Sequence, residues 1–314
     1  MKSFLNRRLK LLTFLLLLGI FLSTGSIACS RLQRARQGPP RLKEAGLIDI
    51  HAHIGKFKGF DLSTENLITN LKENYVRYAL ISNIDGADLP GTTANLDEVT
   101  INEETARVCA ANPQLKPVAW AKPGAKGASA DNIEPFLRDK KFLAIKFHPD
   151  FNHFSPKSSS VAPYLKLCEK YKVPALFHCG KTANSNPQVL YEVARQYPTV
   201  PFVFFHMGFG TDHEDAIAIA KTAKQKNDAI IYLETSQADL VSIQEALEAV
   251  GPERIVFGSD ATYFGRYHYD FYYKMINALK YSLKPEEFQL IIRNNALKLF
   301  RIEEKEEKPA EGKK

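Results

Sequence analysis

Eight short apolar runs, each followed by a stretch with helical spacing, recur along most of this chain. They cover residues 47–51, 76–82, 117–121, 142–147, 173–178, 201–206, 229–234 and 254–258. Most are nearly continuously apolar, as strands are when both faces of a parallel sheet are covered. The segments between them have helical periodicity. In 97–111, Asp97 stands where a helix cap would, and Pro113 lies just past the end. Val161, Tyr164, Leu165 and Cys168 share a face in 161–171. Val189, Leu190, Val193 and Ala194 do so in 186–196, and Leu240, Ile243, Ala246 and Leu247 in 238–249. This alternation predicts an α/β protein, a (β/α)8 TIM barrel spanning residues 44–301. An open doubly wound sheet is the alternative, but no GxGxxG motif follows the first strand.

Residues with metal-ligand chemistry stand where these runs end. His51 and His53 close LIDIHAH, His178 closes PALFH, His206 closes PFVFFH, and Asp260 follows IVFGS. In a barrel, the C-terminal strand ends carry the active site. His51 and His53 are two residues apart on a strand, so both point to one face and can chelate one ion. An HxH pair alone is also compatible with two hydrogen-bonded histidines. A single strand-end histidine can be a core residue, and Asp260 alone could cap the next helix. His178 and His206, each with a glycine two residues on, repeat one local pattern, which is harder to reconcile with chance.

The chain resembles the amidohydrolase superfamily, in the amidohydrolase-related branch that includes aminocarboxymuconate-semialdehyde decarboxylase. The resemblance rests on IDIHAH, AIKFHP, ALFHCG, FFHMG, IVFGSD and a terminal NNALKLF, which together span residues 47–300. It implies that His51, His53, His178 and Asp260 bind one divalent metal ion, most often zinc. It implies that His206 is the general acid/base beside a metal-bound water. A divalent ion lowers the pKa of bound water from about 15.7 to about 7. Asp260 could accept that water's proton, and His206 could orient the water or protonate a leaving group. The implied activity is hydrolysis of a small amide, ester or lactone, with Asp260 and His206 as catalytic residues. Non-oxidative decarboxylation with the same ligands is the alternative, and a non-catalytic barrel lipoprotein or binding module is a third reading.

Lys146 and His148 share one face at the end of the fourth run. Their preferred role is to bind an anionic group of a small-molecule substrate. An ion pair with a barrel-mouth acid such as Glu234 is the plainer reading. In binuclear relatives a fourth-strand lysine is carboxylated, so a second metal ion stays open. Lys122, Tyr263, Phe264 and Arg266 are weaker candidates for the barrel mouth. His153, His213 and His268 fall in loops or helix starts and are expected at the surface. Substrate choice in this fold is set by the loops, here 83–96, 122–130 and 149–160.

The first residues have a separate organisation. MKSFLNRRLK is basic, LLTFLLLLGIFL is apolar but short for a spanning helix, and Ser26-Ile27-Ala28-Cys29-Ser30 follows. This resembles a bacterial lipoprotein signal over 1–29, with Ser26 in place of the usual leucine. The resemblance implies lipidation of Cys29, a basic tether over 30–43, and an exported protein anchored in the periplasm or outer membrane. Ser30 after the cysteine favours the outer membrane. An uncleaved anchor helix and simple secretion are the alternatives. Nine Lys or Arg and no acid fall in residues 1–43, so the +7 of the whole chain becomes −2 for the remainder. The barrel is therefore not basic, and nucleic acid is not an expected partner. Cys109, Cys168 and Cys179 fit no zinc motif and read as buried free thiols. Residues 302–314 are charged, with Pro309 and Gly312, and read as a disordered tail.

Overall fold

The computed structural model describes residues 45–304. The expected signal, tether and Cys29, and most of the expected tail, lie outside the described residues. Of the tail, Ile302–Glu304 are described, and Glu304 pairs with both Arg77 and Arg293.

The strands are β1 (Ile48–Ile54), β2 (Tyr78–Asn83), β3 (Leu115–Pro117), β4 (Ala119–Ala121), β5 (Ile145–Phe147), β6 (Ala175–Gly180), β7 (Pro201–Phe209), β8 (Ile230–Glu234) and β9 (Ile255–Val256). Every pairing is parallel, in the orders β1-β2-β3 and β4-β5-β6-β7-β8-β9. One stave joins the two sheets. Val118 N–H donates to the Ile81 carbonyl, whereas Ala119 N–H donates to the Ala144 carbonyl, so the chain changes partner between β3 and β4. The ring closes where Ile50 N–H donates to Phe257 O at 3.1 Å and His53 N–H to Ala261 O at 2.7 Å. With β3 and β4 as one stave this is the expected (β/α)8 barrel.

The helices are α1 (Thr64–Glu73), α2 (Glu98–Ala111), α3 (Ala130–Arg138), α4 (Ala162–Tyr171), α5 (Pro187–Ala194), α6 (Glu214–Lys226), α7 (Leu240–Val250), α8 (His268–Ser282), α9 (Pro285–Gln289) and α10 (Asn295–Phe300). Their starts follow local chemistry. Asp97 accepts from Val99 N and Thr100 N at the head of α2, as the sequence predicts. Ser63, Ser129, Asn186 and Asp239 cap α1, α3, α5 and α7 in the same way.

Period-two alternation divides the core. Ile48, Ile50, Leu80, Val118, Leu176, Val203, Phe205 and Val256 fill the barrel interior, joined by Ala296, Leu299 and Phe300 of α10. Ala175, Phe177 and Cys179, or Phe202 and Phe204, face the helices instead. The helix-facing position of Cys179, beside inward His178, follows from that alternation. The aromatic stretch at 267–274 leads into and begins α8, whose Tyr269, Tyr272, Ile276 and Leu279 are buried.

Candidate active site

β1 delivers two histidines to one point through a shift in register. Ile48 and Ile50 belong to the interior cluster. The β1–β2 register then shifts between Asp49 and Ala52, so inward parity passes to His51 and His53. Asp49 faces the other way. It accepts from His51 N at 2.9 Å, Ser259 N at 3.0 Å and Tyr269 Oη at 2.6 Å, and from the Ser259 hydroxyl, tying β1 to the loop after β9. Burial pushes its carboxyl up to about 6.

Asp260 completes the cluster. His51 Nε2 and His53 Nε2 are 3.2 Å apart, and Asp260 Oδ1 lies 3.3 Å from the first and 3.2 Å from the second. Asp260 has a φ of 60°, a left-handed conformation that costs a non-glycine residue roughly 1–2 kcal/mol. Burial, the largest single influence, works against its ionisation, but the His53 contact and the charges of His206, His53 and Lys146 together outweigh it and hold the carboxyl below its ordinary range. Gln237 Nε2 donates to Asp260 Oδ2 at 3.2 Å.

The donor set fits a divalent ion. His51 Nδ1 faces Glu234 Oε2 at 3.2 Å, and His53 Nδ1 faces the Ser82 carbonyl at 3.3 Å and its hydroxyl at 3.2 Å. In the neutral rings, acceptors at both Nδ1 atoms place the one proton there and leave both Nε2 atoms as lone pairs. Two imidazole lone pairs and a carboxylate oxygen then converge on one point, where only a cation relieves the repulsion. Three such ligands with room for water or substrate suit a catalytic metal site. His51, His206 and Glu234 form a second close group on the other side of His51.

The remaining predicted residues surround this point. His206 and Met207 have φ of 66° and 48°. On a regular strand His206 would point opposite to Phe205. The left-handed turn brings both residues against His51, with ring centroids 3.9 Å away for Phe205 and 5.0 Å for His206. His206 is buried, and burial lowers its pKa to about 4. His178 lies beside the cluster rather than in it: its ring centroid is 5.1 Å from that of His206, and its Nε2 is 3.6 Å from Asp150 Oδ2. His148 stacks between Phe151 at 3.8 Å and His178 at 4.0 Å, and burial keeps it neutral. Lys146 Nζ lies 3.7 Å above the Phe205 ring, and burial pushes its ammonium down to about 7.

A cavity of about 480 Å³ opens above these groups. His51, His53, Lys146, His148, His178, His206 and Asp260 all line it, and Phe57, Phe60, Phe151, Phe209, Tyr263 and Phe264 supply aromatic walls. A groove of about 650 Å³ beside it, along Gly55–Thr64, has none of the histidines. Lys122 is turned away, with its ammonium bound to Asn95 Oδ1 and the Leu96 carbonyl. Arg266 pairs with Glu73.

Two expectations are corrected. His213 and His268 are buried, not at the surface; His213 Nδ1 donates to the Met207 carbonyl, and His268 binds Ser259. Both sit at helix starts, but those starts are folded back against the loops that leave β7 and β9. Of the three, His153 alone is exposed. The sequence reading also passed over Ser236, Ser82, Asp150 and Gln237, and gave Glu234 only as an ion-pair partner. Glu234 and Ser236 stand two apart at the end of a strand, the spacing that marked His51 and His53, and this signal was present in LETS.

The fold has many solved counterparts. The chain is similar to 2,6-dihydroxybenzoate decarboxylase from Rhizobium, at 16% identity and a TM-score of 0.62, over 82% of this chain and 98% of that one. It is similar to 5-carboxyvanillate decarboxylase from Novosphingobium aromaticivorans, solved with manganese and 4-hydroxy-3-methoxy-5-nitrobenzoic acid, at 12% identity and a TM-score of 0.63, over 85% and 99%. An amidohydrolase II structure matches at 14% identity and a TM-score of 0.65, over 82% and 100%. No curated protein sequence matches the chain. The sequence profile of the amidohydrolase family matches residues 48–302, nearly the whole barrel, and the chain belongs to that family.

Proposed function

We propose that this chain is a metal-dependent decarboxylase that removes carbon dioxide from a small aromatic carboxylate. The observation that carries the reading is the cavity itself, with a His51–His53–Asp260 floor and walls of six aromatic rings. Flat apolar walls favour a ring, and the polar floor takes its carboxylate and neighbouring oxygen. Similarity to structures of 2,6-dihydroxybenzoate and 5-carboxyvanillate decarboxylases supports the same reading. In the net reaction the ring carbon gains a proton, the C–C bond breaks and its electron pair returns to the ring.

His51, His53 and Asp260 would hold one divalent ion, with His178 a further imidazole lining the same cavity. Bound there, the ion would polarise and orient substrate oxygens. Manganese accompanies similar structures, and the two-imidazole, one-carboxylate set also suits zinc. Lys146 and His148 would orient the carboxylate, Lys146 by charge and His148 by hydrogen bonding. His206, neutral and facing the cavity, could hold or pass the proton.

Hydrolysis of an amide, ester or lactone is the second reading. It is supported by the position of Asp260, a carboxylate beside both Nε2 atoms, where it would stand next to a water held at the same point. The two are separated by incubating metal-loaded protein with hydroxybenzoates and with a panel of amides, esters and lactones. Carbon dioxide release from a hydroxybenzoate is expected. Turnover confined to the hydrolytic panel would replace the decarboxylase reading.

The N-terminal sequence supports export and lipid anchoring at Cys29 as part of the same proposal. Labelling with a fatty-acid analogue should be lost in Cys29→Ala, and labelling that survives would refute the anchor.

A further inference from the structure

We propose that Ser236 is a positioning residue that sets the tautomer of His206, so that its Nε2 presents a lone pair to the reaction space. The proposal rests on the reading of His206 as the proton-handling group. Ser236 is fully buried, and its hydroxyl lies 2.7 Å from His206 Nδ1, 2.7 Å from Glu234 Oε2 and 3.3 Å from His51 Nδ1. One hydroxyl therefore touches both imidazoles on the side away from the cavity.

The direction of each hydrogen bond follows from Glu234: burial pushes its carboxyl up to about 8, but both of its oxygens face backbone N–H donors, which leaves it the acceptor of the group. Its carboxylate is the shared acceptor of two backbone donors, His206 N at 2.9 Å and Ser236 N at 2.5 Å. The Ser236 hydroxyl has a single proton, and the carboxylate, which can only accept, takes it. The lone pairs of Oγ are then left for the imidazoles, so His206 Nδ1 carries hydrogen and donates to Ser236. A neutral imidazole has one N–H, and His206 Nε2 is the acceptor that remains. The same carboxylate accepts from His51 Nδ1, so the orientation of a metal-ligand candidate and of the proton-handling histidine is set by one Glu234–Ser236 pair. Its two members stand two residues apart at the end of β8.

The geometry requires no further backbone movement. Glu234, Ser236 and His206 are all buried, and the left-handed φ at His206 holds its ring over the pair.

The test is nitrogen-15 NMR of histidine-labelled, zinc-loaded full-length protein, read through two-bond proton–nitrogen correlations. The His206 signal is assigned by its loss in His206→Gln. Wild-type protein should show His206 as the Nδ1–H tautomer. Ser236→Ala should give a mixture or the Nε2–H form with zinc content unchanged, and Ser236→Thr, which keeps the hydroxyl, should restore the wild-type pattern. An Nε2–H signal in wild type, or an unchanged Nδ1–H signal in Ser236→Ala, would overturn the assignment. If Ser236→Ala does not fold, the wild-type and Ser236→Thr spectra still decide the tautomer. The spectrum reads the tautomer without turnover, so its outcome stands apart from whether the substrate reading holds.

Discussion

His51 and His53 direct their Nε2 atoms at each other across 3.2 Å, with Asp260 Oδ1 within 3.3 Å of both. The relation depends on the neighbouring backbone as much as on the ligands. A Cβ at Gly258 would stand 2.3 Å from Glu234 Oε1 and 2.9 Å from the His51 Cβ. Gly258→Ala should therefore displace both residues. We expect a loss of roughly 1–3 kcal/mol in stability, the usual cost of overpacking a buried site. Metal affinity should fall as well. Chemical denaturation and metal titration of the variant check both effects; native stability with native affinity would refute the steric account.

Lys146 gives a prediction of opposite sign. Burial holds its pKa below the 10.5 of a free lysine, at about 7. Between those values the unfolded chain binds more protons than the folded one, so this group's contribution to stability rises with pH. Lys146→Met should be at least as stable as wild type at neutral pH, with the difference shrinking as pH approaches 10.5. Melting curves across that window test it. On the proposed function the same variant loses carboxylate binding, separating a residue kept for chemistry from one kept for folding.

Asp97 behaves in the ordinary direction. Its carboxylate caps α2 and accepts from the Thr100 hydroxyl and amide, which lowers its pKa below 3.8. The stabilisation is present above the unfolded value and is lost as pH falls through the folded one. Asp97→Ala should cost about 1 kcal/mol at neutral pH. Urea denaturation should find the gap between variant and wild type narrowing below pH 3.8.

The cysteines of the barrel should be inert in the native protein. Burial pushes the Cys109 thiol up to about 12 and those of Cys168 and Cys179 higher still. The thiolate is the reactive form, so alkylation of these three should be slow until denaturant is added. Mass spectrometry before and after unfolding counts the modified sites. Rapid native labelling at Cys168 or Cys179 would contradict their placement.

Much of this was legible in the sequence because it followed from period and position. The strand alternation put Lys146 and His148 on one face, put Cys179 opposite His178, and grouped the histidines at one end of the barrel. Asp97 and Pro113 marked α2 because capping chemistry is local. What was not legible depended on departures from regular strand geometry. The β1 register shift places His51 and His53 above Ile48 and Ile50, and the left-handed φ at His206 and Asp260 turns those side chains into the cavity. A strand pattern carries no mark of such a turn. The buried positions of His213 and His268 depended on loops folding back, and Ser236 lacked the residue type that draws attention to a metal site.

The most direct measurement is the metal content of purified full-length protein, before and after reconstitution with zinc or manganese. The arrangement predicts about one divalent ion per chain, with three protein ligands and an open position. His51→Ala, His53→Ala and Asp260→Ala should each lose it, while His206→Ala should keep it. A wild-type chain that binds no ion after reconstitution, or one that keeps its ion when His53 and Asp260 are both replaced, would contradict the central claim.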